Sequence, residues 1–464
     1  MKTKIKLCAL LCCLACALSA CKPADGYIYQ DSLLFEKDYK TYQHVGVSEN
    51  GILDEFSVIY DNQDQSKSLY LFSAPIAYYS SQGQLSIADN RIVETTDQLV
   101  RQSGYIYQNK SNEVQVYFPA ELSETKTIKM ANKDTFIQLS PKNIPEERAV
   151  TASQKTETTI YGIQQDVVLY QEVWPGVDLR FYCNTLGLKC DLIVKNEKAD
   201  LSNIQFEMET SALELETNNC EYDLLYNAEN EPKAIFFNPL IKDNAGSVIS
   251  TKKIALLRSL DSTKYLYSVY LSEAVTSQTR YPLTANLSFY LYKTKQPDSS
   301  VKSNVTGNQY LSNYLFIGND LEMGDMRSYV RFESNSLREI DYTKILSAQY
   351  IAYDLTGSGD DTAVCAYRVT ENWGSPTITW NDQPAIDTSM EFKPEVDGNQ
   401  FTFDITPLVI EWIKFLNGEG EDQYNNRFGL VLQNAAGAPD DACSIFSSAD
   451  NVTCCPRLVI HYMP

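Results

Sequence analysis

Residues 112–120, Asn-Glu-Val-Gln-Val-Tyr-Phe-Pro-Ala, place Val114, Val116 and Phe118 at every second position. A period of two puts alternate side chains on one face of a β-strand, so this stretch predicts a half-buried strand. The chain also contains 31 tyrosines, a residue that favours strands over helices. The same period recurs, so we expect an all-β protein. It is found at Tyr265, Tyr267, Val269 and Leu271 and at Leu430 and Leu432.

Residues 1–20 have the composition of an export signal. Three lysines precede an apolar run, residues 7–18, which is too short to span a bilayer as a helix. Residues 18–21, Leu-Ser-Ala-Cys, resemble the lipobox of bacterial lipoproteins. This resemblance implies that Cys21 is lipidated and anchors the protein in a membrane, on the surface of a bacterial cell. The alternative is an ordinary secretory signal that is cut nearby.

The formal charge of −21 limits the partners of the protein. Affinity for nucleic acid and for anionic lipid head groups grows with clustered Lys and Arg, and the sequence shows no such cluster. We therefore exclude nucleic acid, and we expect contact with a lipid bilayer only through Cys21. A chain of 464 residues exceeds one typical core, so it predicts two or three domains.

Shifts in composition divide the chain after the signal. Residues 21–26 predict a short tether between lipid and fold. Residues 27–295 are β-rich, and they form either one composite unit or two sub-domains with a break at 140–157. Residues 296–308 are polar and turn-prone, which predicts a linker, and residues 309–464 form the last unit.

The last unit contains the one convincing helical pattern of the sequence. Thr406 can cap its start, Pro407 suits the first helical position, and Gly418 can end it. The apolar residues at helical spacing are Leu408, Val409, Trp412, Ile413 and Leu416. The prediction is one short helix on a β-sandwich.

Several strings of the last unit occur in a familiar order. They are Arg-Ser-Tyr-Val-Arg-Phe at 327–332, Thr-Ile-Thr-Trp-Asn at 377–381, Phe-Asp-Ile-Thr at 403–406, Phe-Gly-Leu-Val-Leu at 428–432 and Pro-Arg-Leu-Val-Ile at 456–460. Together they resemble the DNRLRE-type module. The resemblance implies a jelly-roll β-sandwich, grouped with carbohydrate-binding modules of bacterial surface proteins and polysaccharide-degrading proteins.

The middle region carries a second resemblance. Residues 170–182, Tyr-Gln-Glu-Val-Trp-Pro-Gly-Val-Asp-Leu-Arg-Phe-Tyr, precede Gly-Leu-Lys at 187–189, and Arg-Tyr-Pro-Leu-Thr follows at 280–284. These strings are similar to the region that precedes DNRLRE modules in wall-associated surface proteins. An acid commonly follows the lysine there, whereas Cys190 follows it here. The overall expectation is an N-terminal composite β-sandwich region followed by a C-terminal jelly-roll β-sandwich.

Aromatic and amide side chains of the last unit are candidates for sugar contacts. Glycan sites on β-sandwiches lay aromatic rings against the apolar face of a sugar, while polar groups bind its hydroxyls. Trp373, Trp380 and Asn381 have this chemistry, and Arg368 suits the carboxylate of an acidic polysaccharide. Both tryptophans and Arg368 also fit a purely structural role, because tryptophan is mostly buried in folded proteins.

Two other groups of residues suggest structural sites. Asp354, Asp360 and Asp361 are oxygen-rich and fit a structural calcium ion, or else solvated turns. No other cofactor is indicated. Seven cysteines follow Cys21, so at least one stays unpaired, and Cys443 with Cys454 is one pairing that closes a short loop.

The sequence shows no motif for catalysis. It has two histidines, no G-x-S-x-G, no H-E-x-x-H, no P-loop and no dinucleotide fingerprint. The first hypothesis is therefore a non-catalytic, lipid-anchored surface protein whose C-terminal jelly roll binds a polysaccharide or the cell-wall glycan. The alternative is a structural or adhesion protein that docks to other surface proteins.

Overall fold

The computed structural model describes residues 41–145, 150–158, 164–216, 222–245, 248–250, 254–276, 279–291, 298–305, 312, 314–320, 323–332, 334–356, 363–439, 442–449 and 454–464. Cys21, the predicted tether 21–26, Asp360 and Asp361 lie outside these residues. Strands dominate the described chain, and they form sandwiches, as the all-β prediction states.

Within residues 41–145, the structure has eleven strands and one short helix, α1, at Gln98–Gln102. The strands β1–β11 are His44–Ile52, Ser57–Asn62, Lys67–Phe72, Ala77–Tyr79, Leu85–Ile87, Asp89–Glu94, Tyr105–Ser111, Gln115–Pro119, Glu121–Leu122, Ile128–Ala131 and Phe136–Lys142.

The middle part continues with strands β12–β23 and a 3₁₀ helix at Leu271–Glu273. The strands are Val150–Thr158, Gln164–Trp174, Val177–Asn184, Gly187–Val194, Gln205–Thr210, Glu214–Glu216, Tyr222–Tyr226, Pro232–Lys242, Val248–Ser250, Ala255–Ser259, Lys264–Val269 and Leu283–Leu291.

The last part contains β24–β34, the helix α2 at Thr406–Leu416, and 3₁₀ helices at Asn335–Glu339, Tyr342–Lys344 and Asp422–Tyr424. The strands are Asp298–Lys302, Tyr314–Asp320, Gly324–Val330, Ile345–Tyr353, Val364–Val369, Ile386–Phe392, Pro394–Asp397, Gln400–Asp404, Leu430–Asn434, Cys443–Ser447 and Arg457–Tyr462.

Four large sheets contain most of these strands. Sheet I has the order β21-β22-β16-β11-β10-β8-β7-β6, and sheet II the order β17-β18-β19-β23-β15-β14-β13-β12-β9, with β20 beside β19. Sheet III has the order β1-β2-β3-β34-β27-β31-β30. Sheet IV has the order β29-β28-β32-β26-β25-β33, with β24 beside β26.

Sheets I and II enclose the largest core. Val116 and Phe118 are buried in it, as their alternation predicts, and Tyr265 and Tyr267 join them from β22. Ile144 and Val150 belong to the same core, and β9 pairs with β12. The segment 140–157 therefore does not separate two cores.

Sheets III and IV form a second sandwich. Its core receives Leu408, Val409, Trp412 and Ile413 from α2, which is the face that the helical spacing predicts. The helix begins differently from the prediction, because Ile405 is the N-cap residue. Thr406 lies inside the helix, where its Oγ1 donates to Asp404 Oδ1 at 2.6 Å and accepts from the backbone N of Ala348 at 2.8 Å.

Strands β3 and β34 join the first part of the chain to the C-terminal sandwich. They pair antiparallel from Lys67 with Tyr462 to Phe72 with Arg457. Leu69 and Leu71 point into the core between sheets III and IV, while Tyr70 and Phe72 pack in the core between sheets II and III. The layers therefore stack in the order I, II, III, IV, and β3 is buried on both faces. We call the β3–β34 pairing the seam.

A strand replaces part of the predicted linker 296–308. Asp298–Lys302 form β24, which pairs with β26 and is buried throughout. Polar composition suggested a loop, but Ser300 Oγ lies 2.8 Å from Ser328 Oγ on the paired strand, so hydrogen bonding satisfies a buried hydroxyl. The sequence boundaries of the domains otherwise stay a prediction.

Candidate functional site

A cavity opens at one end of the C-terminal sandwich. Its volume is about 360 Å³, and three separate segments form it: the 3₁₀ helix at Asn335–Glu339, the last turn of α2, and the loop 421–428. The lining residues are Ser334, Asn335, Arg338, Phe415, Leu416, Asn425, Asn426 and Arg427.

The lining combines cationic, amide and aromatic groups. Arg338 and Arg427 are exposed, and neither forms an ion pair with another described residue. Asn426 is buried and donates from Nδ2 to the carbonyl of Phe332 at 3.3 Å, which fixes the floor of the cavity. The half-buried ring of Phe415 supplies an apolar wall. This arrangement suits a polar ligand with one apolar face.

Arg368 contacts the loop 421–428 from the protein interior. Its Nη1 donates to the carbonyl of Gln423 at 3.3 Å, and its guanidinium lies 4.4 Å from the centre of the Tyr424 ring. Its Nη2 lies 2.7 Å from Asp387 Oδ2, and the side chain is only 6% exposed. The hydrogen bond from Ser389 and the pairing with Arg368 lower the pKa of Asp387. In the structure, the cation of Arg368 therefore faces the protein interior.

Trp373 and Arg331 contact the C-terminal end of the same loop, at Phe428 and Arg427. Trp373 is 6% exposed, and its Nε1 donates to the carbonyl of Phe428 at 2.8 Å. Gly429 follows with φ +70°, and a Cβ there would lie 2.1 Å from the carbonyl oxygen of Val330. Only glycine allows the chain to pass this close to β26.

Trp380 and Asn381 lie on the outer face of sheet IV, away from the cavity. Asn381 is exposed and Trp380 is half-buried, with the Arg327 guanidinium 5.5 Å from its ring centre. Gln383 accepts on Oε1 from Arg327 at 3.2 Å and from Tyr329 at 2.9 Å, which fixes this surface. Two of the predicted glycan residues, Trp373 and Trp380, therefore pack in one cluster on the outer face of sheet IV, with Trp373 buried and Trp380 half-buried. Asn381 is exposed beside them, and Arg368 is buried beneath the loop 421–428. Their assignment as glycan contacts stays a prediction.

Asp354, the described member of the predicted calcium group, is buried and already bonded. Its Oδ1 accepts from the backbone N of Thr356 at 2.9 Å and from the Thr356 hydroxyl at 2.6 Å. Within the described ranges, no three His, Cys, Asp or Glu side chains are grouped so that they could hold a metal ion.

The predicted Cys443–Cys454 disulfide has no support in the structure. Cys443, at the start of β33, is a free thiol, and burial raises its pKa to about 11. Ser447, at the other end of this strand, donates to the carbonyl of Cys454 at 2.5 Å. Four residues of strand span about 13 Å, so the two cysteines lie toward opposite ends of β33. A disulfide needs Cα atoms within about 7 Å.

No segment of the described chain forms a helix with the length and apolar character that crossing a bilayer requires. The lipidation of Cys21 stays a prediction.

Sequence reasoning missed Arg338, Phe415 and Arg427. They lie in three segments that only the fold brings together, and each is an ordinary surface residue when the sequence is read alone. No local signal identifies them.

Comparisons with known proteins divide the chain into two regions. Residues 289–462 match the model of carbohydrate-binding module family 96, and residues 62–239 match a domain of unknown function, DUF7948. No curated protein matches the chain. The N-terminal domain of the Streptococcus gordonii adhesin Sgo0707 aligns over 79% of this chain and 90% of its own, with 9% identity and a TM-score of 0.14. Residues 289–462, which form most of the C-terminal sandwich, are thus similar to a carbohydrate-binding module, as predicted.

Proposed function

We propose that this chain is a lipid-anchored protein of the bacterial cell surface that binds glycan through its C-terminal sandwich and catalyses no reaction. One observation carries the proposal. The cavity at Arg338, Phe415 and Arg427 lies inside the residues that match a carbohydrate-binding module. The match is to a binding module, and no enzymatic family is identified.

The chemistry of the cavity fits a sugar. A guanidinium presents several N–H donors in one plane, which suits neighbouring hydroxyls or a carboxylate. The Phe415 ring offers an apolar surface to the C–H face of a pyranose. A volume of about 360 Å³ is at the lower end of the range for small-ligand pockets, so we expect one or two sugar units to enter.

The test uses the chain from residue 22, which lacks the cysteine proposed to be lipidated. Binding to alginate, pectin, chitin and peptidoglycan is measured by affinity electrophoresis or pull-down. We expect at least one polymer to bind, and the double variant Arg338→Met/Arg427→Met to weaken that binding at least tenfold. Arg258→Met is the matched control, since Arg258 is an exposed arginine of sheet I.

Two outcomes decide against parts of the proposal. If the folded chain retains no polymer, glycan binding is wrong, and a stoichiometric protein captured from the cell surface would support docking to other surface proteins instead. If Trp380→Ala/Asn381→Ala abolishes binding and the arginine variant does not, the site lies on the outer face of sheet IV.

The anchor has its own test. Mass spectrometry of the native protein is expected to find an acylated Cys21 as the first residue, and Cys21→Ser is expected to leave the membrane fraction. An unmodified N-terminus in membrane-bound protein would contradict the anchor and leave glycan binding untouched.

A further inference from the structure

The two histidines of the chain lie near each other in sheet III, beside the seam. His44 lies in β1, His461 lies in β34, and the side chain of Asn62 from β2 stands between their rings. The strands that carry them belong to the two ends of the described chain, so this contact exists only while β1–β3 are paired with β34.

The Asn62 amide bonds to both rings. Its Oδ1 lies 2.5 Å from His44 Nδ1, and its Nδ2 lies 3.3 Å from His461 Nδ1. Nδ2 also donates to the hydroxyls of Ser66 at 2.9 Å and Ser68 at 3.1 Å. An amide nitrogen only donates, and its two hydrogens are shared among these three acceptors, so Nδ2 bonds to His461 Nδ1 only while that ring nitrogen carries no proton. The bridge therefore requires a neutral His461. The Ser68 hydroxyl also lies 3.3 Å from His461 Nδ1.

His44 is also held in a setting that suits its neutral form. It donates from Nδ1 to Asn62, and its Nε2 lies 2.8 Å from the Tyr70 hydroxyl, which can donate to it. The ring is 3% exposed and stacks 4.9 Å from the ring of Tyr60. Burial lowers the pKa of His44 to about 4, and burial also lowers the pKa of His461.

The charged and titratable groups around the two rings lie on β1–β3 and β34 or on residues next to these strands. Asp64 is the acid whose field favours a proton on His461, but its carboxylate accepts hydrogen bonds from Ser66. Asp61 is paired with Lys67 at 3.2 Å. Among the described residues, the other titratable groups beside the rings are the phenols of Tyr42, Tyr60, Tyr70 and Tyr462.

We propose that the seam is an acid-sensitive latch: protonation of His44 and His461 breaks the Asn62 bridge and loosens β1–β3 from the C-terminal sandwich. A proton on His461 Nδ1 would place an N–H group opposite the N–H group of Asn62 Nδ2, and the hydrogen bond between them would be lost. A proton on His44 would bury a cation within reach of a second cation. This inference does not depend on glycan binding.

Hydrogen–deuterium exchange of the chain from residue 22 tests the latch at pH 7.5 and pH 5.0, with each rate corrected for intrinsic exchange at that pH. Linkage from a pKa of 6.5 in the open state to about 4 in the closed state predicts about thirtyfold more opening at pH 5.0 from His44 alone. Peptides from β1–β3 and β34 should lose protection, while β10 and β11 of sheet I should not. Unchanged protection at the seam, or equal loss in sheet I, would overturn the proposal.

The variant His44→Gln/His461→Gln keeps amide hydrogen bonding and cannot take up a proton, so it should remove the pH response. Lys67→Gln, which changes a charge of the same seam, should keep it. If the double variant does not fold, an NMR titration of the two imidazoles in the unaltered chain decides: both should titrate below pH 6.5, and a ring that titrates at or above that value would refute the latch.

Discussion

The guanidinium of Arg331 lies 4.8 Å from the centre of the Trp373 ring, and its Nη1 donates a hydrogen bond to the Trp373 carbonyl at 2.8 Å. The same Nη1 lies 3.4 Å from the carbonyl of Arg427. Arg331 thus connects the backbone at Trp373 to the backbone at Arg427, a residue that lines the cavity. In this arrangement, Trp373 does not line the proposed site but holds the loop 421–428 in place through Phe428 and Arg331.

Trp373→Phe should destabilise the protein and weaken glycan binding together. The substitution removes the Nε1 donor of the partly buried Phe428 carbonyl and shrinks a side chain that is only 6% exposed, which together cost about 1–3 kcal/mol. Urea denaturation followed by fluorescence measures the loss. Trp380→Phe is the matched control, since Trp380 is half-buried, and it should change stability by less than about 1 kcal/mol. A larger loss in the control would contradict this assignment.

Arg368 and Asp387 should show energetic coupling. We expect a double-mutant cycle with Arg368→Met and Asp387→Asn to give about 1–3 kcal/mol, because the 2.7 Å contact is largely shielded on the arginine side. Thermal or urea unfolding of the four proteins provides the measurement. Additive effects of the two substitutions would show that Arg368 is held mainly by the loop carbonyl and Tyr424.

The C-terminal sandwich should depend on β3. Leu69→Ala is expected to lower the free energy of unfolding by about 2–5 kcal/mol, because Leu69 is fully buried in the core between sheets III and IV. Leu99→Ala is the control, since Leu99 is 74% exposed, and it should change stability by less than about 0.5 kcal/mol.

The same dependence applies to truncation. A fragment of residues 289–464 lacks β1–β3, so it exposes the edge of β34, and we expect it to aggregate or unfold more readily than the chain from residue 41. A fragment as stable as the longer chain would show that the seam contributes little.

Asp298→Asn should stabilise the protein at alkaline pH. Burial raises the pKa of Asp298 to about 7, and one hydrogen bond from the Ala449 N–H, at 2.6 Å, partly opposes the shift. The folded state therefore binds this proton more tightly than the unfolded state, so stability falls as pH rises from about 4 to about 7.

An asparagine oxygen can accept the same bond without charge, so the gain at pH 8 is expected to be about 2 kcal/mol or more, and it should vanish near pH 3.5. Melting curves of both proteins across this range provide the check. Asp325→Asn, at an exposed position of β26, serves as control. A gain that is the same at all pH values would refute the ionisation argument.

The periodicity of apolar residues predicted the secondary structure that depends on neighbouring residues alone. Alternation identified the strands that bury Val116, Phe118 and Tyr267, and helical spacing identified α2, because each pattern follows from backbone geometry alone. The polar segment around Ser300 contains a strand that its composition did not predict, since backbone pairing with β26 and the hydrogen bond between the Ser300 and Ser328 hydroxyls satisfy its buried polar groups.

The pairing of β3 with β34 left no signal in the sequence, because strands far apart in the chain need share only compatible alternation to become neighbours. The cavity is a product of this long-range assembly. Its two arginines are exposed residues with no local motif, whereas Arg368, which looked suited to a ligand, is paired with Asp387 across two neighbouring strands.

The six residue pairs of the seam also connect the N-terminal strands mechanically to the last strand of the chain. Because β3 and β34 are hydrogen-bonded along their lengths, a force that separates the N-terminal strands from the C-terminal sandwich would act on this ladder of backbone hydrogen bonds.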